Sequence, residues 1–147
     1  MSQEIDIRSI EQADDIAACY EVMAELRPHL KDVDWFVQQV MRQRDRGYRL
    51  SAAWINDRVI GAIGYRLQEN LLYGTFVFVD DLVVHHDFRS HGIGARLLST
   101  ARDYAREQGC RQFVLDTGLH MPLAQRFYFS QGLLARAMGF TEELIPR

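Results

Sequence analysis

The stretch from Val79 to Gln108 constrains this chain most. An apolar run ends in Asp80-Asp81-Leu82-Val83-Val84, the loop His85 to His91 follows, and Gly92-Ile93-Gly94 opens the clearest amphipathic helix in the sequence. On that helix Ile93, Leu97, Ala101, Tyr104 and Ala105 recur on one face, Arg96, Arg102, Arg106 and Glu107 lie elsewhere, and Gly109 is placed to cap the end. A strand that feeds this helix, followed by a second strand at Gln112 to Asp116, implies a parallel crossover. The start of the helix has a chemical consequence. Its first N–H groups have no internal partner and carry the positive end of the dipole, and glycines at 92 and 94 let a bulky anion approach while Arg89 adds a full charge. This is the physics of a phosphate cradle; a plain strand-to-helix turn, with glycine relieving strain, is the competing reading. No Gly-Lys-Ser/Thr follows, and the three-glycine dinucleotide fingerprint is missing.

The other elements surround this unit. Ile5 and Ile7 alternate with polar residues between Glu4 and Ser9, a short half-buried strand. Asp14 and Asp15 start a helix that carries Ile16, Cys19, Tyr20, Met23 and Leu26 until Pro28, and a second runs from Asp34 to near Gly47 with Phe36, Val37, Val40 and Met41 inside. Tyr48–Ile55, a turn at Asn56-Asp57-Arg58, and Val59–Leu67 predict a hairpin, in which Gly61 and Gly64 mark a bend or a close backbone approach. Thr75–Val84 is a long strand, Met121–Ser130 a helix, and Leu133–Leu144 a last extended segment. The fold class is α/β, a single domain over residues 1–147 with a mixed β-sheet flanked by helices.

Composition narrows the function. The chain has 147 residues, 48% of them hydrophobic, and a net charge of −3, with Lys31 the only lysine. No basic stripe favours nucleic acid; the densest basic run, Arg42 to Arg49, reads as a solvated helix end. No secretory leader is visible and no apolar run reaches the roughly 20 residues of a membrane helix, so a cytoplasmic protein without membrane partners is expected. Cys19 and Cys110 lack any paired spacing and read as buried or half-buried thiols. His85, His86 and His91 cluster, but neighbouring strand residues point to opposite faces and no ligand spacing accompanies them, so solvated loop histidines and no metal are expected.

Two motifs in this order resemble the GCN5-related N-acetyltransferases (GNAT). Arg89, Gly92 and Gly94 match the family's Arg/Gln-x-x-Gly-x-Gly/Ala after a strand, and Asp80-Asp81-Leu82-Val83-Val84 looks like its acidic-apolar strand end. Ala124-x-x-Phe127-Tyr128-x-x-x-Gly132-Leu133 is similar to its second motif, and the element order agrees over nearly the whole chain. The resemblance implies a GNAT-like acyl-CoA N-acyltransferase fold and acetyl-CoA as co-substrate. The cofactor-binding residues it implies are Leu82, Val83 and Val84, then Arg89, Ser90, His91, Gly92, Ile93, Gly94 and Ala95. Where the family often has Asn against pantetheine, this chain has Met121, with His120 and Gln125 as neighbouring substitutes.

Acetyl transfer from a thioester to an amine needs a proton acceptor for the amine, a held carbonyl and a proton for the departing thiolate. The resemblance implies that Leu82 and Val84 lend main-chain groups to pantetheine and that the Tyr128 hydroxyl protonates the sulfur; in an apolar helix a tyrosine is otherwise a core residue. Strand alternation puts Asp80 and Asp81 on opposite faces, and the resemblance favours Asp80 as the base and Asp81 as structural. The expected acceptor is a small-molecule amine. Walls carrying Glu21, Glu25, His29, Glu69, Tyr73 and Phe76 suit a cationic one, although Glu21 and Glu25 also read as a solvated acidic face. A homodimer is compatible with all of this. An acetyl-CoA-binding regulatory module without turnover, and an enzyme acting on a protein amine, are the alternatives.

Overall fold

The computed structural model describes residues 4–147, which divide into two compact units, one ending at Leu115 and the other Asp116–Arg147. In the first unit β1 (Asp6–Ile10), β2 (Tyr48–Ile55), β3 (Arg58–Asn70), β4 (Gly74–Val84) and β5 (Gln112–Leu115) form a sheet in that order. The first four strands are antiparallel, and β5 lies parallel to β4. The change of direction follows from α4 (Ile93–Glu107), which carries the chain back before β5 begins.

The helix expected from Asp14 to Leu26 is two helices, α1 (Ala13–Ala18) and α2 (Tyr20–Leu26), separated at Cys19. With α3 (Val33–Arg44), capped by the Asp32 carboxylate on the Trp35 N–H at 2.8 Å, they cover one face of the sheet. Ile16, Cys19, Val22, Phe36 and Val40 pack there with Tyr48, Leu50, Ala52 and Trp54 from β2 and Ala62 from β3. By alternation Gly61 faces the other way, where α4 lies: a Cβ on Gly61 would meet Leu97 and the Val83 carbonyl at 3.1 Å and Ile93 at 3.3 Å. Gly61 is thus the close approach expected from the sequence, and α4 seats its apolar face of Ile93, Leu97, Leu98, Ala101 and Ala105 on the sheet.

In the second unit α5 (Pro122–Ser130) starts on Pro122, as a residue without an N–H tolerates, and Gly132 turns the chain at φ +88°. The extended segment expected over Leu133–Leu144 forms no strand. These residues have no helix or strand, and Leu134, Met138, Phe140 and Leu144 are exposed. Apolar alternation makes a strand only when a neighbouring ladder takes up its N–H and C=O groups.

Candidate active site

β4 is paired on both sides only as far as Val79. Its register with β5 runs from Phe76↔Gln112 to Val79↔Leu115 and ends there, while β4 continues along β3 to Val84. At that point the β3–β4 register skips one residue, Tyr65 pairing with Val79 and Gly64 with Asp81, so that Asp80 is the extra residue of a β-bulge. Beyond the bulge the phase of the ladder can be read from the His85 N–H, which donates to the Ile60 carbonyl at 2.8 Å. Antiparallel bonding alternates, so Val83 and Asp81 share that orientation, and the main-chain groups of Leu82 and Val84 point to the edge that β5 has left. The Val84 carbonyl accepts from Arg89 Nε at 3.3 Å on that side.

The bulge corrects the expected placement of the two aspartates. Strict alternation would send them to opposite faces, but the extra residue cancels one step, and both join one network on the α1–α3 side. Asp81 accepts from the Tyr48 hydroxyl at 2.8 Å and from Arg27 Nε at 3.1 Å. Asp80 accepts from Arg66 Nε at 2.9 Å, and the Arg66 guanidinium lies over the Tyr48 ring at 5.3 Å. Arg27 also donates to the Asp80 carbonyl at 2.9 Å, which holds the bulge from outside. Burial raises the Asp80 carboxyl above its ordinary value, with Arg66 opposing and Asp81 assisting. Burial, reinforced by the Asp81 charge that its hydroxyl meets, drives the Tyr48 phenol well above its ordinary value, so this group stays a donor. Arg27, Tyr48 and Arg66 carried no local signal in the sequence. Only Gly64 hinted at them, as the opening in β3 through which Tyr48 reaches β4.

At the end of β4 a short 3-10 turn, His86–Phe88, leads to the glycine loop. Ser90 and Gly92 adopt left-handed conformations, at φ +69° and +75°. Gly92 is the N-cap of α4 and gives it no side-chain cap, and a Cβ placed there would meet nothing within 4 Å. The first N–H groups of α4, at Ile93, Gly94 and Ala95, thus receive no side-chain cap, and the largely exposed Arg89 precedes them in the loop. Ile93 contributes only main chain, since its side chain is core. The His91 ring turns back onto the Phe88 and Arg89 carbonyls at 3.1 and 2.9 Å. A left-handed glycine, open space and uncapped donors fit a pyrophosphate.

The histidines before this loop differ from expectation. Because the strand ends at Val84, alternation no longer applies, and His85 and His86 stack at 4.3 Å. His85 is buried at 4% exposure, not solvated. Its Nδ1 accepts from the Asp87 N–H at 3.1 Å, and its Nε2 lies 3.4 Å from Glu21 and 3.1 Å from Arg58. Glu25 contacts His86 Nδ1 at 3.0 Å and lies 3.8 Å from Arg89. His85, His86 and Glu25 bring three ligand-type atoms within 4.8 Å, yet Arg58 and Arg89 already stand against that cluster. Glu21 and Glu25 are thus paired side chains at the glycine-loop end of β4, neither a free acidic wall nor a simply solvated face.

Tyr128 belongs to the second unit, on the half-buried side of α5, with Phe127 edge-on at 5.4 Å. Burial raises its phenol above the ordinary value. Gln125, a candidate to replace the family's Asn, donates its amide N–H groups to the Gly118 and Leu119 carbonyls at 2.9 and 3.1 Å. Met121, the N-cap of α5, is partly exposed. Among the described residues no helix is long and apolar enough to cross a membrane.

A mixed sheet whose fourth strand loses its partner just before an uncapped helix start is the architecture this α/β domain shares with the acyl-CoA N-acyltransferases. The profile of the acetyltransferase (GNAT) family matches residues 10–133. An uncharacterized N-acetyltransferase, YhdJ, of Bacillus subtilis strain 168 is 30% identical over 140 residues, covering 95% of this chain and 94% of its own. An aminoalkylphosphonate N-acetyltransferase of Salmonella typhimurium strain LT2 is 32% identical over 98 residues, 66% of this chain and 62% of its own. Among solved structures the aminoglycoside N-acetyltransferase AAC(6')-Iy in complex with CoA has the same fold, with a TM-score of 0.84 at 16% identity over 99% of this chain and 98% of that one. This chain belongs to the GNAT acetyltransferase family, and it is an N-acetyltransferase that draws its acyl group from an acyl-CoA.

Proposed function

We propose that the protein transfers an acetyl group from acetyl-CoA to a primary amine of a small molecule by direct attack in a ternary complex, within one domain over residues 1–147. The observation that carries this reading is the open edge of β4. Leu82 and Val84 turn main-chain groups to an edge with no strand partner, directly between the bulge at Asp80 and the glycine loop, where only Arg89 reaches the Val84 carbonyl. An extended pantetheine arm supplies the partner those groups lack, and Arg89, with the loop from Ser90 to Ala95, receives the pyrophosphate. Val83 shares that strand end but turns its main-chain groups toward β3.

Asp80 is the base in this reading and Asp81 the structural carboxylate. Asp81 is held by Arg27 and Tyr48 and its side chain is 15% exposed, whereas Asp80 is held by Arg66 and is 28% exposed. The raised value of Asp80 brings it nearer to the pH at which an amine must lose its proton. As nitrogen bonds to the acetyl carbon, Asp80 takes the amine proton, the carbon–sulfur bond breaks, and the Tyr128 hydroxyl returns a proton to the thiolate. Burial keeps that phenol protonated until the transfer. The aminoalkylphosphonate N-acetyltransferase relative supports a small-molecule acceptor. The test is release of free CoA thiol from acetyl-CoA across a broad amine library. Turnover confined to protein or peptide amines would overturn the small-molecule reading.

A further inference from the structure

The Asp80 carboxylate is not held by its own strand. One of its oxygens, Oδ2, accepts from Arg66 Nε at 2.9 Å, and Arg66 is itself fixed from two other directions. Its Nη2 donates to Gln43 Oε1 of α3 at 2.6 Å, and its guanidinium carbon lies over the Tyr48 ring of β2, 5.3 Å from the centroid. An arginine anchored at one end by an amide and covered by an aromatic ring is a restrained fork, and an aspartate on its other prong inherits that restraint. The contact occupies one carboxylate oxygen, so Oδ1 has no hydrogen bond of its own among the described residues. The charged and titratable groups around this carboxylate are Arg66 on β3, Asp81 on β4, Arg27 after α2 and Tyr48 on β2.

We propose that Arg66, locked by Gln43 and the Tyr48 ring, is a positioning residue that fixes the Asp80 carboxylate by one oxygen, leaves the other for the acceptor amine, and sets the pH at which Asp80 accepts a proton. This rests on Asp80 being the base. α3 and β2 thereby reach the Asp80 carboxylate through a single guanidinium.

Removing the positive charge takes away the influence that holds Asp80 down against its burial, so its proton affinity must rise. A close cation typically lowers a carboxyl by one to three pH units, so a rise of about one unit is expected in Arg66→Gln. Two readouts separate the possibilities: titration of the Asp80 side-chain carboxyl by 13C NMR in the substrate-free protein, assigned against Asp80→Asn, and the acidic limb of kcat/KM with one acceptor throughout, so that the amine's own ionisation cancels. Both should move upward together in Arg66→Gln and return toward wild type in Arg66→Lys, which restores the charge. Gln43→Leu, which leaves Arg66 in place but frees one end of it, should move both in the same direction by less, and it carries the test if Arg66→Gln does not fold. An Asp80 titration unmoved in these variants would overturn the positioning role while leaving the base assignment standing. A titration that moves while the acidic limb stays still would show that Asp80 is not the base, and the proposal would fall with it.

Discussion

The Tyr48 hydroxyl lies directly over Gly64, in the space a Cβ there would fill, and from that position it donates to Asp81 on the far side of β3. Gly64 is the register partner of Asp81, so the tyrosine of β2 crosses the middle strand to reach the bulge of β4. Three adjacent strands are tied at the one place where the sheet is irregular.

Gly64→Ala should therefore destabilise the fold by about 1–3 kcal/mol, the usual cost of overfilling a packed interior. The added methyl must displace the Tyr48 ring and take the hydroxyl off Asp81. Urea denaturation measures the cost. A stability within about 0.5 kcal/mol of wild type would show that Tyr48 moves aside freely.

Gly92→Asp separates folding from cofactor binding. Nothing stands near the added side chain, so folding bears only the strain of a left-handed non-glycine residue, about 1 kcal/mol. Binding suffers more, because bulk and negative charge enter the position of the pyrophosphate. Acetyl-CoA in large excess should stabilise the wild type by roughly 3 kcal/mol and the variant hardly at all, read as the rise in Tm. Equal rises would place the pyrophosphate elsewhere.

Asp80→Asn should lower kcat by roughly a hundredfold and remove the enzyme's part of the acidic limb, with acetyl-CoA affinity nearly unchanged. Stability should move the other way. The folded carboxyl sits above its unfolded value, so its stabilising contribution is complete below that unfolded value and is lost as pH rises through the folded one. At neutral pH the ionised Asp80 is a burden on the fold, and the asparagine variant should be at least as stable as wild type there. Denaturation series at acid and neutral pH check the sign. A variant less stable at neutral pH than at acid, relative to wild type, would mean that the Arg66 pair outweighs burial.

Tyr128→Phe keeps the ring against Phe127 and deletes only the hydroxyl. Loss of a proton donor costs about ten- to a thousandfold in rate, and the lower part of that range is expected because a thiolate leaves tolerably unaided. Full kcat on the best acceptor would assign the proton to water and leave Tyr128 a packing residue.

The glycine loop and the helix it opens were legible in the sequence because everything they need is local. Gly92 and Gly94, Arg89 and the amphipathic run from Ile93 lie within a few turns of chain, and uncapped helix N–H groups follow from helix geometry alone. The hairpin of β2 and β3 and the crossover to β5 were legible for the same reason, since turn residues and hydrophobic period are short-range signals. What the tertiary structure decided is the surroundings of Asp80. The bulge arises from a mismatch in register between β3 and β4, which period-two alternation cannot contain, and it brings together two carboxylates that alternation would separate. Arg27, Tyr48 and Arg66 come from α2's end, β2 and β3, and no rule of spacing joins residues 14, 33 and 54 positions distant from their partners. The extended segment after Leu133 failed for the complementary reason: its pattern was local, but a strand exists only through the partner that pairs with it.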